Sequence, residues 1–88
     1  FWRDNVGNEI DLVIEEGQML RPVEIKSGAT IASDWTRALA KWVGWAGERS
    51  AIPTVVYGGA QSLTRLGTQF TPWRDWPAVM QKPSVQNK

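Results

Sequence analysis

Residues 9–26, EIDLVIEEGQMLRPVEIK, decide the fold. Ile10, Leu12 and Ile14 alternate with Glu9, Asp11, Val13 and Glu15, the two-residue period of a half-buried strand. Glu15-Glu16-Gly17-Gln18 supplies a turn, and Met19 to Lys26 forms the returning strand. Ahead of this hairpin, Phe1 to Asp4 forms a partner strand joined through Asn5-Val6-Gly7-Asn8, whose Asn and Gly tolerate left-handed backbone. Three antiparallel strands are therefore expected in succession.

Working outward, Gly28 breaks the strand pattern and Ser33 stands as an N-cap before Asp34, an acid suited to the positive end of a helix. Trp35, Leu39, Trp42 and Ala46 make one stripe of a 3.6-residue period, which predicts a helix from about Asp34 to Ala46, stopped at Gly47. The β-branched run Ile52 to Tyr57 predicts a buried strand that returns alongside the sheet after this helical crossover. Gly67 to Pro72 is a further strand candidate, and Trp73 to Met80 a short amphipathic turn or helix. The fold class is α/β, with one domain over residues 1–80. The polar residues 81–88 are expected to form a disordered tail.

The chain has 88 residues, with 10 Lys+Arg against 9 Asp+Glu and neither Cys nor His. A chain this short buries only about 60–65% of its unfolded surface, and no disulfide framework makes up the deficit. Ser-His-Asp and Cys-His catalysis, thiolate zinc, haem and iron–sulfur ligation are all excluded, leaving carboxylates, Lys and hydroxyls. Any metal would be held by oxygen. No segment approaches the roughly 18–20 apolar residues of a membrane span, and the start has no signal pattern, so a cytoplasmic protein is expected. The first residue is Phe, inside a strand-like run, so this is expected to be part of a longer chain.

The net charge of +1 hides an asymmetry. Residues 1–26 hold three basic and six acidic side chains, a net −3, whereas residues 27–88 hold seven and three, a net +4. An acidic hairpin beside a mildly basic remainder suits a cation site next to a surface that tolerates a polyanion, and a solvated charge distribution has the same signature.

The chemistry sits on the hairpin. Glu24 and Lys26 point to one face of their strand and Val23 and Ile25 to the other. With a turn at Glu16-Gly17, the hairpin is expected to place Asp11 on the strand facing Glu24 or nearby, so that Asp11, Glu24 and Lys26 can share a face. Two carboxylates held together repel, so the pair either raises a pKa or recruits a divalent cation, with Mg²⁺ or Mn²⁺ the natural occupant. Asp11, Glu24, the carbonyl of Ile25 and waters would be ligands, and Lys26 would orient or deprotonate a bound water. That is machinery for attacking a phosphodiester.

Gly7 to Ile14 followed by Val23-Glu24-Ile25-Lys26-Ser27-Gly28 resembles the PD-(D/E)XK nuclease superfamily, and within it the C-terminal domain of unknown function attached to a group of predicted prokaryotic AAA+ ATPases. The likeness covers roughly residues 1–75. It implies a restriction-endonuclease-like core: an N-terminal helix, three antiparallel strands, a crossover helix and a returning strand. The first helix would lie before Phe1 and is missing here. It further implies Asp11 and Glu24 as metal ligands, Lys26 as the catalytic lysine, and Glu9 as help for a second ion. An upstream ATPase module and nucleic acid are the implied partners. No G-x-x-x-x-G-K-[ST] loop occurs, so the chain does not bind ATP by that route.

A cross-strand salt bridge on a solvated sheet face would use the same Asp11, Glu24 and Lys26, and geometry separates the two. Glu9 and Glu15 fit solubilising charge equally well. Of the six Trp, Trp35 and Trp42 belong to the core stripe, whereas Trp45, Trp73 and Trp76, the last two flanking Arg74, are interface candidates. Arg37 and Lys41 fit a solvated helix face, and Gly58-Gly59 a simple turn. Metal-dependent phosphodiester hydrolysis, or its binding-only remnant, is the leading expectation. A non-catalytic interaction module is the alternative. With the first helix missing, Ile10, Leu12, Ile14, Val23 and Ile25 are expected to lie partly uncovered and to drive a two-fold homodimer.

Overall fold

The computed structural model describes residues 2–3 and 9–76. Its strands are β1 (Trp2–Arg3), β2 (Glu9–Ile10), β3 (Leu12–Glu16), β4 (Met19–Ile25), β5 (Thr54–Tyr57), β6 (Leu63–Arg65) and β7 (Thr68–Pro72), with one α-helix, α1 (Arg37–Ala46), between β4 and β5. β1 and β2 form a two-stranded antiparallel pair, and the other five strands form a mixed sheet in the order β3-β4-β5-β7-β6. The Asn5 to Asn8 connection and the tail 81–88 lie outside the described residues, as does the C-terminal domain limit at residue 80.

The hairpin forms as its pattern dictates. Gly17, at φ +65°, takes the left-handed turn position, and Glu16 pairs with Met19 and Leu12 with Val23. β4 then runs parallel to β5, as the crossover predicts, and β5 parallel to β7. Every residue of β5 is buried, the mark of a central parallel strand covered on both faces.

Register divides the faces. Glu24, Val55, Phe70 and Leu63 lie in one row across four strands, on the side covered by α1. There Ile10, Leu39, Trp42, Val55, Tyr57 and Phe70 form the core. The Tyr57 ring meets Phe70 edge-on at 6.1 Å, and Trp35 meets Tyr57 at 6.2 Å. Removing a large side chain such as Trp42 or Leu39 from such a cluster costs about 2–5 kcal/mol, so these residues fix where α1 lies. On the opposite side Val23, Thr54, Val56 and Thr71 are also buried.

Four expectations need correction. The sheet has five strands, two of which, β3 and β4, are the antiparallel hairpin, while β1 and β2 stand apart as their own pair. β6 was not foreseen, because three residues of which two are exposed leave no periodic pattern. Ser33 is not the N-cap: it opens a 3₁₀ turn, Ser33–Thr36, without a side-chain cap bond, and α1 begins only at Arg37. Finally, the five apolar residues expected on one open face are split. Ile10 faces the helix and is fully buried, Val23 is fully buried on the other side, and only Leu12 and Ile25 are exposed. No helix among the described residues is long and apolar enough to cross a membrane.

Candidate functional site

Asp11 occupies the break between β2 and β3, where the chain leaves its pairing with β1 and begins its pairing with β4. The alternation slips there. Ile10 and Val13 both pack toward the core below α1, although three residues apart. A slipped strand carries an extra residue whose side chain is re-aimed, and at this position it is aimed along the sheet toward the end of β4.

Two backbone hydrogen bonds hold the result. The Ile25 N–H donates to Asp11 Oδ2 at 2.9 Å, and the Asp11 N–H donates to Glu24 Oε1 at 3.2 Å. Each acid is thus clasped by the backbone of the other's strand, and the two carboxyls face each other. The sequence placed Asp11 opposite Glu24, and these bonds bring them together. Lys26 lies one alternation beyond Glu24, and its N–H continues the ladder to the Val56 carbonyl at 2.8 Å.

The electrostatics follow from burial. Glu24 is 7% exposed because its row lies under α1, whereas Asp11 is open to solvent. Burial is the largest cause that pushes the Glu24 carboxyl up to about 7, followed by its hydrogen bond to the Asp11 carboxyl and by the Asp11 charge. The Asp11 N–H and the Lys26 charge pull it back down without winning. A carboxyl raised in this way keeps its proton up to near neutral pH and would release it to a bound cation. The burial of Glu24 and the two backbone bonds distinguish this pair from a fully exposed salt bridge.

Glu9 is exposed on β2, opposite Arg3 in register. Among the described residues no group of three or more His, Cys, Asp or Glu gathers as metal ligands. The candidate centre is a pair, completed if at all by backbone and water. Ile25 presents a backbone edge to the same place. Its N–H points away from β5 toward Asp11, and the carbonyl of a strand residue leaves on the same edge as its N–H.

One supporting feature was missed in the sequence. Beyond Lys26 the chain is clamped to the exit of β5, where the Gly58 N–H donates to the Gly28 carbonyl at 2.9 Å. A Cβ on Gly58 would lie 2.5 Å from the Ser27 carbonyl oxygen, so only glycine permits this approach. Gly58 is therefore more than a turn residue, and the Tyr57 hydroxyl steadies the same loop by donating to the Gln61 carbonyl at 2.6 Å. The signal was present as a glycine pair directly after a buried strand.

Of the aromatic candidates, Trp42 is core and Trp35 half-buried, while Trp45 and Trp73 are about two-thirds exposed and Trp76 is half-buried. Trp73 opens the 3₁₀ turn Trp73–Asp75 that follows β7. Register sets Lys26, Tyr57 and Pro72 level on three parallel strands, so this turn sits at the same sheet end as Asp11 and Glu24, two strand spacings of about 4.8 Å away. Arg37 and Lys41 are exposed, as a solvated helix face requires.

Residues 1–76 match the family model described as a domain of unknown function, DUF4143, of the kind found at the C-termini of AAA+ ATPase-like proteins. Searches of curated proteins and of solved structures find no match.

Proposed function

The chain belongs to the DUF4143 family, and from that premise we propose that it is an accessory domain of an ATPase that binds a divalent cation, Mg²⁺ or Mn²⁺, and through it a nucleic-acid phosphodiester, with hydrolysis as the activity of the intact site. One observation carries this: Asp11 and Glu24 side by side, the Glu24 carboxyl accepting from the Asp11 N–H and the Asp11 carboxyl from the Ile25 N–H, with Glu24 buried and Lys26 on the same strand face.

The residues fit the ion. Hard divalent cations take oxygen ligands and keep several waters, and the pair plus the Ile25 edge offers that donor set. A bound ion would neutralise the pair, polarise a phosphoryl oxygen and lower the pKa of a coordinated water. The chain's own residues do the rest. Asp11 and Glu24, oriented by the Ile25 and Asp11 N–H groups, would hold the ion. Lys26, fixed at its backbone by Val56 and backed by the Gly28–Gly58 clamp, offers a positive charge to an attacking water or to the phosphate. Trp73 and Arg74, exposed at the same sheet end, suit a base and a phosphate of the strand being held. Likeness to the PD-(D/E)XK nucleases rests on these residues, and Glu9 is not needed for a single ion.

Calorimetry with Mn²⁺ at pH 8 tests the proposal. Heat should be present in the native chain and absent in Asp11→Asn, and equal heat in both would remove the site. With the site established, absence of Mg²⁺-dependent cleavage of single- or double-stranded oligonucleotides would leave a binding-only domain.

A further inference from the structure

β6 and β7 form a hairpin in which Arg65 pairs with Thr68 across the two-residue loop Leu66-Gly67. Residues directly opposite on antiparallel strands put their side chains on one face, with Cβ atoms about 4.5–5.5 Å apart. Here that face is turned toward α1, because Thr68 stands one alternation from the core residue Phe70. Arg65 and Thr68 both line a groove of about 610 Å³ that lies between this hairpin and the helical side of the fold.

The two side chains are both donors and neither is used by the fold. Thr68 is only 6% exposed, and its hydroxyl meets no hydrogen-bond partner among the described residues. A polar group so enclosed is ordinarily bonded, since it has given up water and received nothing in return. Arg65 is exposed, and its guanidinium forms no ion pair or hydrogen bond among the described residues. It is also the one charged residue of the lining, which contains no acid. Most of the remaining wall is apolar, including Ile31, Ala40, Val43, Pro53 and Phe70.

We propose that this groove binds a small apolar monocarboxylate, its carboxylate held by Arg65 and Thr68 and its hydrocarbon body laid along Val43, Pro53 and Phe70. The volume falls within the range of about 300–1,000 Å³ typical of small-molecule sites, which are mostly apolar with a few placed polar groups. The guanidinium fork matches a carboxylate with two parallel bonds, and the carboxylate oxygens keep lone pairs for the Thr68 hydroxyl. One cation balances one negative charge and leaves a doubly charged phosphate half uncompensated. A neutral hydrocarbon would leave both donors unpaired, and an amine would meet a like charge. The groove lies at the β6–β7 side of the sheet, whereas Asp11 and Glu24 lie at the β3–β4 side, so this binding needs no metal and stands apart from the acidic pair.

Octanoate is the probe, titrated into the chain and followed by the NMR signals of Val43 and Phe70. Those signals should shift saturably, and hexanoate should bind about tenfold more weakly for its two lost methylenes. Octan-1-ol, with the same tail and no charge, should bind at least tenfold more weakly than octanoate, and so should octanoate to Arg65→Gln, an exposed position whose change leaves the core intact. Thr68→Val keeps the side-chain shape and removes the hydroxyl. It should weaken octanoate about three- to tenfold without lowering the melting temperature, because no bond within the fold is lost. Octanoate that shifts no groove signal, octan-1-ol that binds as tightly as octanoate, or an affinity unchanged in Arg65→Gln overturns the proposal.

Discussion

Replacing Glu24 by Gln removes one titration, and the pH dependence of stability should record it. The folded chain holds the Glu24 proton up to about pH 7, against an ordinary value of 4.5. Between those values the folded state binds more protons than the unfolded chain. Stability is therefore greatest below pH 4.5, falls as the pH rises through the interval, and levels off above about 7. At about 1.36 kcal/mol per pKa unit the displacement corresponds to about 3 kcal/mol. Most of it falls between roughly pH 5 and pH 8, of order 10 °C in melting temperature for a domain this size. Glu24 is too buried for solvent to screen much of this away. Gln keeps the shape and can still accept from the Asp11 N–H, but it cannot ionise. Urea denaturation across that pH range should therefore show the native chain losing stability relative to Glu24→Gln. Mn²⁺ at pH 8 should restore the native chain alone, by about 2.7 kcal/mol at a hundredfold excess over its dissociation constant. Parallel curves for the two proteins would mean that Glu24 ionises freely in the fold, and would refute the frustrated pair.

Lys26→Ala should lower Mg²⁺-dependent cleavage by about 10²–10⁴-fold with Mn²⁺ affinity within a few-fold of native, read by oligonucleotide hydrolysis and calorimetry. Gly58→Ala should destabilise by about 1–3 kcal/mol, because a methyl 2.5 Å from the Ser27 carbonyl forces the two strand exits apart, and denaturant midpoints will show it. Arg21 donates to both Glu16 oxygens, at 2.6 and 3.1 Å, and also to the Ile52 carbonyl and the Thr54 hydroxyl, so Arg21→Ala should cost about 1–3 kcal/mol in the same assay.

The candidate pair was legible because a hairpin is arithmetic. The turn expected at Glu16-Gly17 falls one residue later, at Gly17-Gln18, and there the pairing of Leu12 with Val23 carries Asp11 to Glu24, while strand alternation carries Lys26 to the same face. The crossover was legible for a similar reason, since Trp42 and Leu39 mark one helix face and Thr54 to Tyr57 can only be a central strand. The slip at Asp11 was not. Ile10, Leu12 and Ile14 alternate perfectly in the sequence, and only the change of partner from β1 to β4 turns Ile10 to the helix and leaves Leu12 outside. Local pattern carries no trace of a partner switch. The proton affinity of Glu24 was half legible: the facing acid was foreseen, but the larger cause is burial, which comes from α1 and the Val55–Phe70 row lying across the sheet.

The most direct measurement is a crystal structure of the chain grown in Mn²⁺ near pH 8, read by the anomalous scattering of manganese. A peak bridging Asp11 and Glu24, about 2 Å from an oxygen of each and with the Ile25 carbonyl in reach, is the result expected of a divalent-cation site. The two carboxyls still hydrogen-bonded to each other, with no anomalous peak between them, would contradict it.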